Sequence, residues 1–197
     1  MRRVRILLWV ITALAALLAI GIALRPKAAP DSATSSPLPA FGGPFTLTAS
    51  NGQPFSSAKL AGAPYAIFFG FTHCPDVCPT TLARLARLRK ALGRGDEAFA
   101  IVFVSVDPER DTPADMGRYS GLFGTPVIGL TGSAAAIDGV KKQYGIYSKK
   151  VAQPGGDYAV DHTATVLLFD RAGHFAATIA TDEGDAPALD KLKALTG

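Results

Sequence analysis

The chain has 197 residues, 48% of them hydrophobic, with 20 Lys plus Arg against 16 Asp plus Glu. Five of the basic residues, Arg2, Arg3, Arg5, Arg25 and Lys27, precede position 28 with no acidic residue among them, which leaves 15 basic against 16 acidic residues over positions 28–197. A near-neutral remainder without a Lys/Arg cluster interleaved with aromatics excludes the electrostatic footprint of a nucleic-acid binder, and the apolar content excludes a disordered chain.

Ile6 to Leu24 is a run of nineteen uncharged residues, long enough to span a bilayer as a helix. The rival is a cleaved signal peptide, whose apolar region is usually about 7–15 residues. The length of the run and the flanking Arg25 and Lys27 favour an uncleaved anchor. Arg2, Arg3, Arg5 and the amino terminus outweigh the basic residues on the far side, so the N-terminus is expected in the cytoplasm and the remainder across the membrane. Arg25 to Pro39 holds four prolines among Ala and Ser and reads as a semi-extended linker. The expected division is an anchor over 1–24, a linker over 25–40 and one domain over 41–197.

Within that domain, Phe45–Thr48 and Gln53–Phe55 flank an Asn51-Gly52 pair, a hairpin signal. Tyr65 to Phe71 is a continuous apolar run, as in a strand buried on both faces. Leu82, Leu85, Leu88 and Leu92 recur at helical spacing, with Arg84, Arg87, Arg89 and Lys90 between them and Pro79 in the first turn, predicting an amphipathic helix over Thr80–Leu92. Ala98 to Val106 reads as a second buried strand, Pro113 to Phe123 as a helix capped by Thr112, and Val127 to Leu130 as a short strand. Ser133 is placed to cap a helix ending near Tyr144. Ile146 to Asp161 carries Gly, Pro and charge and reads as an irregular insertion. Thr165–Phe169, the turn Asp170–Gly173 and Phe175–Ile179 form a closing hairpin, followed by a helix from about Ala186. Alternating strands and helices with a terminal hairpin predict an α/β sandwich with a central mixed sheet.

Cys74 and Cys78, the only cysteines, lie between the strongest strand and the strongest helix, where α/β proteins place ligand chemistry. Cys78 precedes Pro79, which biases it out of the helical region but leaves it near a helix N-terminus, where unpaired amides favour a thiolate. Their separation suits either a disulfide or two sulfurs sharing one soft metal. A disulfide here would close only a few residues and constrain the unfolded chain weakly, so a mere staple is the poorer reading. Two thiolates do not complete a common metal site, so a third donor is needed. His73 adjoins Cys74 and tends to point away from its sulfur. His174 reads as a solvated residue of the last hairpin. His162 stands before an apolar strand at a sheet edge that can face the cysteine loop, although a lone histidine there is more often structural. Asp76, between the cysteines, either tunes the charge of a site or satisfies a turn. Asp107, Glu109, Arg110 and Asp111 form a charged loop on the same sheet edge, either self-paired or a docking surface for a partner.

FGFTHCPDVCPTTLA (Phe69–Ala83), with SVDPERDTP (Ser105–Pro113), LTG (Leu130–Gly132) and YAVDHTATVLLFD (Tyr158–Asp170), closely resembles the Sco/SenC family of membrane-anchored copper chaperones over Gly43 to Leu195. The resemblance implies a thioredoxin-like fold, an inner-membrane anchor and a domain facing the periplasm or intermembrane space. It also implies a copper site, for Cu(I) or Cu(II), of two cysteines and a distant histidine, which map onto Cys74, Cys78 and His162. The implied role is delivery of copper to the dinuclear centre of cytochrome c oxidase subunit II, with another copper chaperone or a thiol reductase as a further partner. Softness agrees: thiolates select Cu(I), imidazole accepts both states, and three ligands leave an open face for transfer.

A second class of function is a thiol-disulfide oxidoreductase in which Cys74 and Cys78 form a redox-active disulfide. Thioredoxin-type enzymes carry Cys-x-x-Cys and a cis-proline facing it. This chain has three residues between its cysteines, and Asp161-His162-Thr163 takes the place of that proline. A peroxidase would need a low-pKa cysteine with a resolving partner. The copper-binding, non-enzymatic reading is therefore preferred.

Overall fold

A strand in which every residue is apolar has to be covered on both faces, and β3 (Tyr65–Gly70) is buried at all six positions. The computed structural model describes residues 41–197 together with the isolated positions Arg2 and Trp9. β3 is preceded by the hairpin of β1 (Thr46–Ala49) and β2 (Pro54–Ser56), in which Leu47 stands opposite Phe55. At its turn Gly52 adopts φ 77°, and Asn51 Oδ1 accepts from the Gln53 amide at 3.0 Å. The chain continues through α1 (Val77–Ala91), β4 (Ala100–Ser105), α2 (Pro113–Ser120), β5 (Ile128–Thr131) and α3 (Ala134–Gln143). It closes with β6 (Ser148–Ala152), β7 (Tyr158–His162), β8 (Val166–Phe169), β9 (Phe175–Ile179) and α4 (Asp185–Thr196).

Seven strands form one mixed sheet in the order β2-β1-β5-β4-β3-β8-β9. β3, β4 and β5 run parallel, while β1 against β5, β8 against β3 and β9 against β8 are antiparallel. Adjacent residues of a strand point to opposite faces, which allocates the helices. Phe68 meets Phe103 at 6.0 Å between ring centroids, and Phe103 meets Tyr119 of α2 at 5.4 Å. Gly70 shares that face and abuts Cys78 of α1. Phe69 points the other way, to Tyr144 at the end of α3, with centroids 5.7 Å apart. α1 and α2 therefore cover one face and α3 the other. The caps at Thr112 and Ser133 are as expected: Asp115 N donates to Thr112 Oγ1 at 3.2 Å and Thr112 N to Asp115 Oδ2 at 3.0 Å, while Ala136 N donates to Ser133 Oγ at 3.2 Å.

Three expectations are corrected. The segment Ile146–Asp161, expected to be irregular, is an antiparallel hairpin of β6 and β7 with Ser148 opposite His162, forming a sheet of its own. Tyr158, Val160 and His162 alternate along β7, and Gly155 and Gly156 take the positive φ that its tip requires. The polar residues facing solvent hid that period in the sequence. Second, α1 begins at Val77, so Cys78 is helical despite the proline after it. The first-turn amide that Pro79 lacks has no intrahelical acceptor in any case, and burial of Cys78 outweighs the pre-proline bias. Third, Arg89 is buried within the polar series of α1, donating to the carbonyls of Phe99 (3.1 Å) and Pro126 (2.8 Å) and to Thr125 Oγ1, with Asp96 at 3.2 Å. The long stem of arginine lets its head reach these acceptors from an apolar surface. No helix among the described residues is long and apolar enough to cross a membrane, and the span expected over Ile6–Leu24 and the linker after it lie outside the described residues.

Gly70 fixes how closely α1 approaches the sheet. A Cβ there would lie 2.6 Å from Cys78 Sγ and 2.9 Å from Phe103 Cε2, both inside van der Waals contact. Gly70→Ala should destabilise the domain by about 1–3 kcal/mol through overpacking. Urea unfolding checks this, and an unchanged midpoint would mean that α1 has room to shift outward.

Candidate metal centre

The cysteine loop leaves β3 at Phe71, where the Cys74 amide donates to the Phe71 carbonyl at 3.3 Å. It enters α1 at Asp76, and Cys78 falls in the first helical turn. Helix N-termini carry amides without intrahelical acceptors. One of them, Cys78 N, donates to Cys74 Sγ at 3.4 Å, so the Cys74 sulfur partly caps the helix. Cys78 itself is fully buried, and that burial pushes its thiol well above the ordinary range, opposed in part by the Phe71 backbone and reinforced by Cys74. Both cysteines are free thiols.

β7 brings in the third group. His162 closes that strand with its Nε2 at 3.6 Å from Cys78 Sγ, 84 residues away in sequence. Its Nδ1 lies 3.0 Å from the Thr163 carbonyl oxygen, which can only accept, so Nδ1 carries the proton in the neutral ring. The Nε2 lone pair is then free and faces the sulfurs. Phe68 and Phe71 present their rings edge-on to the imidazole at 6.1 and 5.8 Å between centroids, excluding water from that side. The donor atoms of Cys74, Cys78 and His162 all lie within 4.8 Å of one another.

Zn–S and Zn–N bonds of about 2.0–2.3 Å put donors that share an ion about 3.5–4.5 Å apart, a span this set meets with small adjustments. Two sulfurs and an imidazole, with no carboxylate among them, suit a soft or borderline transition metal and not Ca2+ or Mg2+. Three ligands also fall short of the closed four-ligand cage of structural zinc.

The other residues singled out in the sequence lie apart from this set. Asp76, for which tuning of the site and satisfaction of a turn were both open, is exposed, and its carboxylate accepts from Thr80 Oγ1 at 3.3 Å one turn along the helix. His73 is exposed, with Nδ1 3.2 Å from Thr72 Oγ1 and 3.7 Å from Asp111. His174 stands in the turn before β9 against Asp170 at 3.6 Å.

The charged loop after β4 turns inward. Asp107 and Asp111 have no exposed side-chain surface. Asp111 accepts from Thr72 N (3.2 Å), Thr72 Oγ1 (2.6 Å) and Ser105 Oγ (2.6 Å), tying the cysteine loop to the end of β4. Asp107 accepts from Tyr158 OH (2.8 Å) and Arg110 Nε (2.5 Å). Of the two readings open for this loop, self-paired or a docking surface, the Asp107–Arg110 pair bears out the first. The usable signal was two carboxylates around one arginine directly after a buried strand, at the edge that carries the cysteines.

The sequence profile of the SCO1/SenC family matches residues 33–197. Protein SCO2, mitochondrial, of Saccharomyces cerevisiae is 37% identical over 157 residues, covering 78% of this chain and 52% of that protein. The chain spans about half the length of the mitochondrial relatives it matches. Among solved structures, ScoI of Bradyrhizobium japonicum with copper bound is 44% identical, with a TM-score of 0.72 over 79% of this chain and 99% of that one. BsSco, a member of the Sco family of cytochrome c oxidase assembly proteins in which a disulfide switch was identified, shares the fold at 24% identity with a TM-score of 0.62, over 81% of this chain and 95% of that one. With its thioredoxin-like α/β fold and central mixed sheet, this chain belongs to the SCO1/SenC family.

Proposed function

We propose that this protein binds copper through Cys74, Cys78 and His162 and delivers it to the dinuclear copper site of cytochrome c oxidase subunit II, as a carrier and not an enzyme. The observation that supports this most is the convergence of two sulfurs from one loop-to-helix segment and an imidazole nitrogen from a distant strand within 4.8 Å. Soft sulfur holds Cu(I), and adding imidazole lets the same site hold Cu(II). The open side of a three-donor set admits an incoming ligand before an outgoing one leaves, so copper passes between proteins without being released to water. Cys78 must lose its proton to bind, and its burial favours the neutral thiol until metal displaces the proton. Residues 1–24 act as a single-pass inner-membrane anchor and 25–40 as a linker holding the domain in the periplasm, a reading supported by the apolar run Ile6–Leu24 and the charges flanking it. Another copper chaperone or a thiol reductase is a further partner in this reading.

The nearness of the two free thiols supports a second reading, in which the Cys74 and Cys78 dithiol reduces a disulfide between the cysteines of that copper site and is itself oxidised to a Cys74–Cys78 disulfide. The spacing of three residues between the cysteines, where thioredoxin-type enzymes carry two, favours copper carriage.

Three outcomes are expected. In His162→Ala, two thiolates remain, enough for near-linear Cu(I) but not for Cu(II), so Cu(II) affinity should fall roughly a hundredfold or more while Cu(I) affinity falls much less. His174→Ala should leave both unchanged. The sulfur-to-copper absorption and the electron paramagnetic resonance spectrum, compared at equal folded fraction, decide this, and loss of the spectrum in His73→Ala with its retention in His162→Ala would move the ligand role. Oxidation to a Cys74–Cys78 disulfide should abolish tight Cu(I) binding, as both thiolates are consumed. Stoichiometric Cu(I) on fully oxidised protein would exclude the two-sulfur site. Finally, the full chain should fractionate with inner membranes, whereas a chain beginning at Ala40 should be folded and soluble, and recovery of the full chain in the soluble fraction would exclude the anchor.

A further inference from the structure

His162 reaches the cysteines on a hairpin that shares no backbone ladder with the main sheet among the described residues. A two-stranded hairpin is marginal by itself, so something else must hold it. Tyr158, Val160 and His162 line one face of β7, and each is engaged with the body of the domain: Tyr158 OH donates to Asp107, Val160 is buried, and His162 faces Cys78. Arg110 adds a second hold. Its Nε donates to Asp107 at 2.5 Å, its Nη1 donates to Asp157 Oδ1 and to the Tyr158 carbonyl, both at 3.0 Å, and its guanidinium lies 3.7 Å from the Tyr158 ring centroid. Lys150 on β6 pairs with Glu109 at 2.5 Å.

The residues that grip the hairpin belong to the same turn that grips the cysteine loop. The amides of Arg110 and Asp111 both donate to the Asp107 carbonyl, at 3.2 and 3.0 Å, closing the turn. Asp111 then holds Thr72, two residues before Cys74, while Asp107 and Arg110 hold Tyr158, four residues before His162. We propose that the turn Asp107–Asp111 is a bracket that fixes the separation of His162 from the cysteine pair, with Arg110 and Tyr158 as positioning residues for the histidine. An exposed salt bridge has little hold on geometry, but Asp107 is fully buried and Arg110 lies over the Tyr158 ring with its Nε and Nη1 engaged on three acceptors. The copper consequence of the bracket rests on the proposed metal reading; the bracket itself does not.

The test uses the full chain with Tyr158→Phe, which keeps the ring and removes one hydrogen bond, and Arg110→Lys, which keeps the charge and removes the fork. Arg84→Lys, at the Arg84–Asp185 pair that joins α1 to α4, is the control for general destabilisation. In the metal-free protein, amide exchange over β6 and β7 should quicken on the order of tenfold in the first two variants, the size expected when one hydrogen bond to a charged acceptor is lost. Exchange over β3 and β4 should not change, and the His162 ring resonances should move toward solvent values. Cu(II) affinity should fall on the order of tenfold, with Cu(I) affinity little affected. Unchanged β6–β7 exchange and His162 resonances in both variants, or equal quickening over β3 and β4, would overturn the bracket. If the metal-free readouts respond as expected but Cu(II) affinity does not, the bracket stands and His162 is not a copper ligand.

Discussion

A carboxylate removed from water must be surrounded by donors, and Asp111 draws its donors from segments far apart in the chain. Thr72, on the cysteine loop, gives it both an amide and a hydroxyl, and Ser105, at the end of β4, gives it a second hydroxyl. A charge buried without such partners costs several kcal/mol, so the fold is stable only when the cysteine loop lies against β4. Asp107 imposes the same requirement on the hairpin through Tyr158 and Arg110. These two carboxylates turn a chemical necessity, the satisfaction of buried oxygen, into a geometric one, the meeting of a loop and a hairpin.

On that frame the donor set is built from unlike parts. Cys78 is rigid: it sits at the start of a helix pressed against Gly70 and Phe103, where the absence of a single Cβ sets the distance. Cys74 lies on a loop and partly caps that helix. His162 rides on the smaller sheet with its tautomer chosen by the Thr163 carbonyl. The proposed carrier role asks a site to hold its ion and also let it go, and a fixed sulfur beside donors on a loop and a hairpin would allow both. Ligands carried entirely by the seven-stranded sheet would give a stiffer site, slower to exchange.

Much of the fold was legible in the sequence because its signals are local. Continuous apolar runs marked β3 and β4, helical spacing of leucines marked α1, and Thr112 and Ser133 marked helix starts, since a cap needs only a side chain and an amide three residues on. The β6–β7 hairpin was not legible, as one of its faces is polar and its apolar members, Val151, Tyr158 and Val160, are separated by a charged and glycine-rich tip. Burial of Arg89 was also hidden, since its acceptors come from Phe99, Thr125 and Pro126, beyond the helix that carries it.

The cysteines were marked as functional by their place between a strand and a helix and by the weakness of so short a disulfide loop as a staple. His162 was different: its position before a strand left it no more than one of three histidines until a family pattern selected it. Only the tertiary structure brings its Nε2 to 3.6 Å from a sulfur 84 residues earlier, and only it shows the carboxylates of Asp107 and Asp111 turned inward. The physical reason is the range of the forces. Periodicity, caps and turn residues act over a few positions and are written in order along the chain, whereas a donor set and its supports are satisfied across space, by groups whose sequence separation carries no information about their distance.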